Sequence, residues 1–141
     1  MDLESRQKLK KLLTEHESYK QFAYSDTTGH MTIGIGRNLT DRGISVPEAI
    51  YLLDEDITYF YTKLSQFLLF FRRLDDNRQI ALIDMCFNLG VQGFLNFNNM
   101  ILALEAEDYE RAAQEMLDSK WAEQVPERAH QLADIVRTGN L

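Results

Sequence analysis

The chain carries two rhythms of apolar and polar positions, a helical one that dominates and a strand-like one confined to a stretch near its start. From Ser5 to about Ser18, Leu9, Leu12 and Leu13 recur at the i, i+3, i+4 spacing of an amphipathic helix. At about 100° per residue, Glu17 falls one turn beyond Leu13, on the rim of that apolar stripe, and Glu15 falls outside it. Phe22-Ala23-Tyr24 has strand character, Asp26-Thr27-Thr28-Gly29 reads as a loop, and His30 to Gly36 alternates with period two. Met31, Ile33 and Ile35 then share one face, and His30, Thr32, Gly34 and Gly36 share the other. A face bearing one hydroxyl and two glycines lets a bulky ligand approach the backbone, which makes Gly34 a candidate substrate contact.

Downstream the rhythm is helical almost throughout. Arg37 to Gly43 is a loop rich in turn residues, and Ser45-Val-Pro-Glu48 has capping-box spacing, with Pro47 tolerated in the first turn. The acidic run Asp54-Glu-Asp56 either interrupts that helix or begins the next. From Ile57, the positions Phe60, Tyr61, Leu64, Leu68 and Phe71 keep helical spacing for about four turns. Phe67 and Phe70 widen the stripe beyond one face, enough to meet a partner or another part of the chain. Asp76-Asn-Arg-Gln79 has capping-box spacing and opens a helix, Ile80 to Phe87, that is apolar nearly all round and therefore predicted to be buried. Cys86 within it reads as a small hydrophobe, and Gly90 as the residue that ends it. A short helix is predicted through Leu104, another from Asp108 to about Lys120, and a last one from Pro126 to Gly139. Trp121 reads as packed core with its indole N–H satisfied.

The 141 residues, 45% of them hydrophobic, suit one domain with its own core. A single cysteine excludes an internal disulfide and suits a reducing cytosol. The charged N-terminus lacks the apolar core of a signal peptide, and Phe67 to Phe71 is the longest apolar run, too short to span a bilayer. The expectation is therefore a monomer made in the cytoplasm without a signal peptide and without membrane insertion. With 15 basic against 22 acidic residues the net charge is −7, which argues against nucleic acid as a partner. It also argues against long-range steering toward an anionic bacterial envelope.

Candidate chemistry gathers around the short strands. A glutamate half-buried at a helix end, as Glu17 is predicted to be, loses hydration; this favours the protonated form that a general acid needs. Asp26 stands in an open turn beside Thr32 and is expected to stay ionised. Glu17, eight residues, Asp26, five residues, then Thr32-Ile-Gly-Ile-Gly36 is a spacing that resembles the phage-type lysozymes of glycoside hydrolase family 24. The resemblance continues through Ala81 to Gly90, Ser119-Lys-Trp121, Pro126-Glu-Arg-Ala129 and Arg137-Thr-Gly139, and so covers nearly the whole chain.

The resemblance implies an α+β, mostly helical, lysozyme-like fold: a small lobe with a short antiparallel hairpin sheet, a larger helical lobe, a long helix joining them, and an active-site cleft between. Its implied bounds are about 14–56 for the small lobe, 57–73 for the linking helix, and 74–141 plus the N-terminal helix for the helical lobe. It implies a muramidase cleaving the β-1,4 bond between N-acetylmuramic acid and N-acetylglucosamine of peptidoglycan, without a cofactor. Glu17 would be the acid, Asp26 would position the attacking water and Thr32 would help to hold it, with inversion at the anomeric carbon. Asn88 matches a polar position that contacts sugar, and reads equally as a residue tending its helix end. Arg128 sits in a helix's first turn, where the helix dipole gives a cation no benefit; the family pattern pairs such an arginine with the catalytic glutamate. Similar endolysins reach the wall through holin pores. The loop after Gly36 is shorter than in the T-even members, and the acidic charge departs from the basic habit of many phage lysozymes.

Other readings use the same residues differently. A lytic transglycosylase can work with one glutamate and leaves an anhydro sugar, but does not account for Asp26 and Thr32. A non-catalytic peptidoglycan-binding module, or a partner-binding protein using Phe67 to Phe71, leaves the paired acids or the glycine strand unexplained. His16, His30 and His130 lack metal-ligand spacing, and no metal site is expected.

Overall fold

In the computed structural model, which describes residues 1–141, seven α-helices accompany one three-stranded antiparallel sheet, an α+β fold dominated by helix. The chain divides into two compact units, Met1–Leu52 and Leu53–Leu141.

The first unit begins with α1 (Leu3–Glu17), capped by Asp2, whose carboxylate accepts from the Ser5 amide at 2.7 Å. Ser18, at φ 63°, ends the helix. No residue of α1 is buried, so Glu17 is exposed rather than half-buried. The sheet follows as β1 (Lys20–Ser25), β2 (Met31–Gly34) and β3 (Arg37–Asn38), in that spatial order. Tyr24 pairs with Thr32, and Thr32 pairs with Asn38 on its other side, so Thr32 lies on the central strand. The register shifts between Lys20 and Tyr24.

The predicted strand to Gly36 therefore ends two residues early. Gly34 and Gly36 hold φ of +68° and +70°, the left-handed region that glycine enters without a Cβ penalty, and the chain turns between them into β3. The first unit closes in a capping box: Ser45 Oγ donates to Glu48 at 2.9 Å, and the Glu48 amide donates back to Ser45 Oγ at 3.3 Å.

That cap opens α2 (Val46–Phe67), which runs unbroken for 22 residues. Asp54-Glu-Asp56 does not interrupt it: all three are exposed, and no glycine or proline accompanies them to break the ladder. A single helix thus replaces the capped helix and the separate linking helix over 57–73 expected from sequence. After it, Leu68, Phe70 and Phe71 are buried, and Phe71–Arg73 forms one 3₁₀ turn. The run Phe67 to Phe71 is therefore mostly core, with Phe67 and Leu69 left exposed, rather than a partner surface.

The second unit packs around α3 (Asp76–Leu95), whose Ala81, Leu82, Met85 and Cys86 are fully buried. Ile80 and Phe87 remain partly exposed, so the helix is not buried all round as its composition predicts. Its cap is Asp75, one residue before the predicted start, accepting from the Arg78 amide at 3.0 Å. Gly90, at φ 77° and ψ 163°, kinks α3 rather than ending it. Burial pushes the Cys86 thiol up to about 11, which keeps it an inert packing atom.

Then come α4 (Asn98–Glu105), α5 (Tyr109–Leu117), α6 (Lys120–Gln124) and α7 (Pro126–Thr138). The last packs on α3 and α5 through Ala129, Leu132, Ala133 and Val136.

Arg78 ties the start of α3 to the end of α7. Its guanidinium donates to the Val136 carbonyl at 2.6 Å, the Arg137 carbonyl at 3.2 Å and Asp75 at 2.9 Å, while lying 3.6 Å from the Tyr109 ring centre. Those carbonyls belong to the last turn of α7, which has no partners of its own. Burial alone raises the Asp75 carboxyl, but the bonds from Arg78 outweigh it and hold it below its ordinary range. No single helix is long and apolar enough to cross a membrane.

Candidate active site

Glu17 closes α1 and its carboxyl lies against the backbone of Gly36. A Cβ built on Gly36 would stand 2.8 Å from the Glu17 carboxyl carbon and one of its oxygens, closer than atoms can pack. The glycine thus has two reasons to be there, its positive φ and the carboxyl above it. Gly34 has only the first: nothing lies within 4 Å of where its Cβ would be, so its backbone faces open space. A groove of about 700 Å³ beside the two glycines is lined by Ile33, Arg37, Arg42, Ile44 and Tyr51 among others. Arg37 beneath it is bound to Glu48 and donates to the Gly43 carbonyl at 3.1 Å. Hydrogen bonds from Arg37, then from the Ser45 hydroxyl, hold the Glu48 carboxyl down at about 2.

Asp26 occupies the turn between β1 and β2. Its Oδ1 accepts from the Thr28 amide at 2.8 Å, the Thr28 hydroxyl at 2.8 Å and the His30 amide at 2.9 Å. These donors, the His30 amide foremost and the Thr28 hydroxyl next, outweigh desolvation and hold the Asp26 carboxyl below its ordinary range. The carboxylate is thus fixed in place and ionised, with Oδ2 outside that set of donors. Asp26 and Glu17 belong to the same unit of the chain.

Thr32 differs from its expected place on an open face. It is the buried polar residue of the chain, 4% exposed, and its hydroxyl donates to the His30 carbonyl at 3.1 Å. Its backbone is paired on both edges, with Tyr24 and with Asn38, and its hydroxyl is satisfied within its own strand.

Two further candidates lie in the second unit. Asn88 is exposed, and its Oδ1 accepts from the Trp121 indole N–H at 2.7 Å. That bond satisfies Trp121, which is 5% exposed, and holds the Asn88 amide by its oxygen, leaving its NH₂ outside the bond. Arg128, on the first turn of α7, donates from Nε to the Asp84 carboxylate at 2.7 Å and from Nη2 to the Asp84 carbonyl at 3.2 Å. Its partner within its own unit is thus the acid Asp84. Asp84 and Arg128 border an apolar concavity of about 380 Å³, with Leu53, Ile57, Ile80, Ile83 and Phe87; Asn88 does not line it. No three His, Cys, Asp or Glu side chains converge as a metal-ligand set.

Sequence reasoning missed the support of these groups more than the groups themselves. Thr28 and His30 follow Asp26 at i+2 and i+4, the reach of an aspartate turn, and that spacing is a signal that can be read. Asp84 lies 44 positions from Arg128, and no local pattern announces the pair.

Comparison with known proteins adds to this geometry. A family model described as phage lysozyme matches residues 14–137. The chain is 26% identical to probable T4-type lysozyme 1 of Dictyostelium discoideum, over 94% of this chain and 95% of that protein. It is equally similar to probable T4-type lysozyme 2 of the same organism, with the same coverage. It is also 30% identical to the pre-baseplate central spike protein Gp5 of Enterobacteria phage T4, over 92% of this chain but 28% of that much longer protein.

Proposed function

The chain belongs to the phage lysozyme family, and from that premise we propose that it is a muramidase hydrolysing the β-1,4 bond between N-acetylmuramic acid and N-acetylglucosamine in peptidoglycan. It is a glycoside hydrolase, and peptidoglycan is its substrate. The observation that carries the mechanism is the contrast between its two carboxyl groups. Asp26 is locked and ionised by three donors, whereas Glu17 is seated against the backbone of Gly36, a residue that lines the groove.

Glu17 protonates the leaving glycosidic oxygen. Asp26 uses Oδ2, which accepts none of those three bonds, to position and deprotonate a water on the opposite face of the sugar. That division of labour inverts the anomeric carbon and needs the two carboxyl groups roughly 6.5–9.5 Å apart in the working enzyme. Thr32, with its hydroxyl given to the His30 carbonyl, supports this by fixing the turn behind Asp26. Gly34 admits the sugar to the backbone, Asn88 offers its amide NH₂, and Arg128 contributes a cation for the same polymer. The biological role is lysis as a phage or prophage endolysin, acting as a monomer on the periplasmic or extracellular wall after passing a holin-like pore.

Glu17→Gln tests the assignment. Wall lysis followed by turbidity should fall by about 10²–10⁴-fold, the contribution of a general acid, with the thermal midpoint unchanged. Activity like that of the wild type would remove Glu17 from the mechanism. Mass spectrometry of the released muropeptides should show hydrolysed reducing ends; anhydro sugars would instead make the enzyme a lytic transglycosylase.

A further inference from the structure

The turn that holds Asp26 contains one proton with two claimants. Thr28 Oγ1 lies 2.8 Å from Asp26 Oδ1 and 2.6 Å from His30 Nδ1, and a hydroxyl has a single hydrogen to give. The far nitrogen of the same ring, His30 Nε2, lies 3.1 Å from Asp41 Oδ2. Asp41 is itself anchored: the Asn38 side-chain amide donates to Oδ2 at 3.1 Å, and the Asp41 backbone N–H donates to Asn38 Oδ1 at 2.9 Å. The charged groups facing the ring are therefore two acids, Asp41 from the loop after β3 and Asp26 Oδ2 at 3.6 Å from the β1–β2 turn.

We propose that His30 is a positioning residue for Asp26, and that the proton on its Nδ1 decides whether the Thr28 hydroxyl serves Asp26 or the imidazole. The hydrogen-bond inventory forces the alternation. Asp41, as a carboxylate, can only accept, so Nε2 carries a hydrogen in both states. When the ring is an imidazolium, Nδ1–H also donates, Thr28 Oγ1 accepts it, and the hydroxyl proton goes to Asp26 Oδ1. When the ring loses its second proton, Nδ1 becomes an acceptor and the Thr28 hydroxyl turns toward it. Asp26 Oδ1 then keeps the two backbone amides and loses its third donor. A carboxylate with fewer donors is a stronger base, so Asp26 gains basicity as pH rises through the His30 transition. The consequence for catalysis rests on the reading of Asp26 as the group that activates water; the coupling itself does not.

Two measurements separate those claims. In the first, the Asp26 carboxyl carbon and the His30 ring are followed by NMR across pH in the wild type, in Thr28→Val and in His30→Gln. The wild type should show a second inflection in the Asp26 signal coincident with the His30 titration, and both variants should lose it while retaining the wild-type circular dichroism spectrum. Absence of that inflection in the wild type overturns the proposal. So does its persistence in Thr28→Val, which would make it a through-space effect of ring charge. In the second, the pH profile of kcat on peptidoglycan should carry the same inflection in the wild type and lose it in Thr28→Val, with KM unchanged. Coupling seen by NMR without any counterpart in kcat would keep the positioning of Asp26 and remove Asp26 from the chemistry.

Discussion

Gly36 shows how one missing side chain organises the proposed acid. The residue has no room for a Cβ because Glu17 lies there, and no freedom for one because its φ is +70°. Gly36→Ala should therefore cost about 1–2 kcal/mol from the left-handed backbone alone. It should also push the Glu17 carboxyl aside, with a loss of activity of about 10²-fold, the usual result of displacing a catalytic group by an ångström. Urea titration and turbidity assays read the two effects independently, and full activity in the variant would show that Glu17 does not need this seat. The pattern Thr32-Ile-Gly-Ile-Gly made the glycines visible, but it gave the two the same meaning. Only the fold separates Gly34, which faces open space, from Gly36, which faces the glutamate. The burial of Thr32 escapes the sequence for a related reason: period two says which residues share a face, and not how much of that face is left open.

Elements whose signals are local were legible, and those that depend on distant partners were not. The Ser45–Glu48 box was readable because all its atoms lie within one turn. The cap of α3 was read one position late because Asp75 and Asp76 are chemically equal candidates, and the choice between them is tied to Arg78. Strand β3, of two residues, and α6, of five, are too short for any period to register. The box also sets an acid-dependent stability. Glu48 has an ordinary value of 4.5 and is held at about 2 in the folded chain, so its stabilisation is complete above about pH 4.5 and disappears as pH falls toward 2. Glu48→Gln should accordingly melt at a lower temperature than the wild type at pH 7, with the gap narrowing through that window. A gap that stays constant with pH would mean that Glu48 acts by shape and not by charge.

At the scale of the molecule, burial is unevenly shared. Every residue of the hydrophobic core lies between Leu64 and Val136, and Thr32 is the one buried residue of Met1–Leu52. The second unit therefore holds the apolar burial that resists opening, and the first unit carries the proposed acid and base on elements with little of their own. Native-state hydrogen exchange should show amides of β1 and β2 opening at lower free energy than those of α3 and α7; equal protection in both would mean that the chain opens as one. The sole thiol belongs to the better-protected unit, sealed at Cys86. With no second thiol to pair with and no thiolate to attack, the folded chain forms no internal disulfide whatever the redox state of its surroundings. Passage from a reducing to an oxidising medium would therefore leave its cross-links as they were, with none made and none lost.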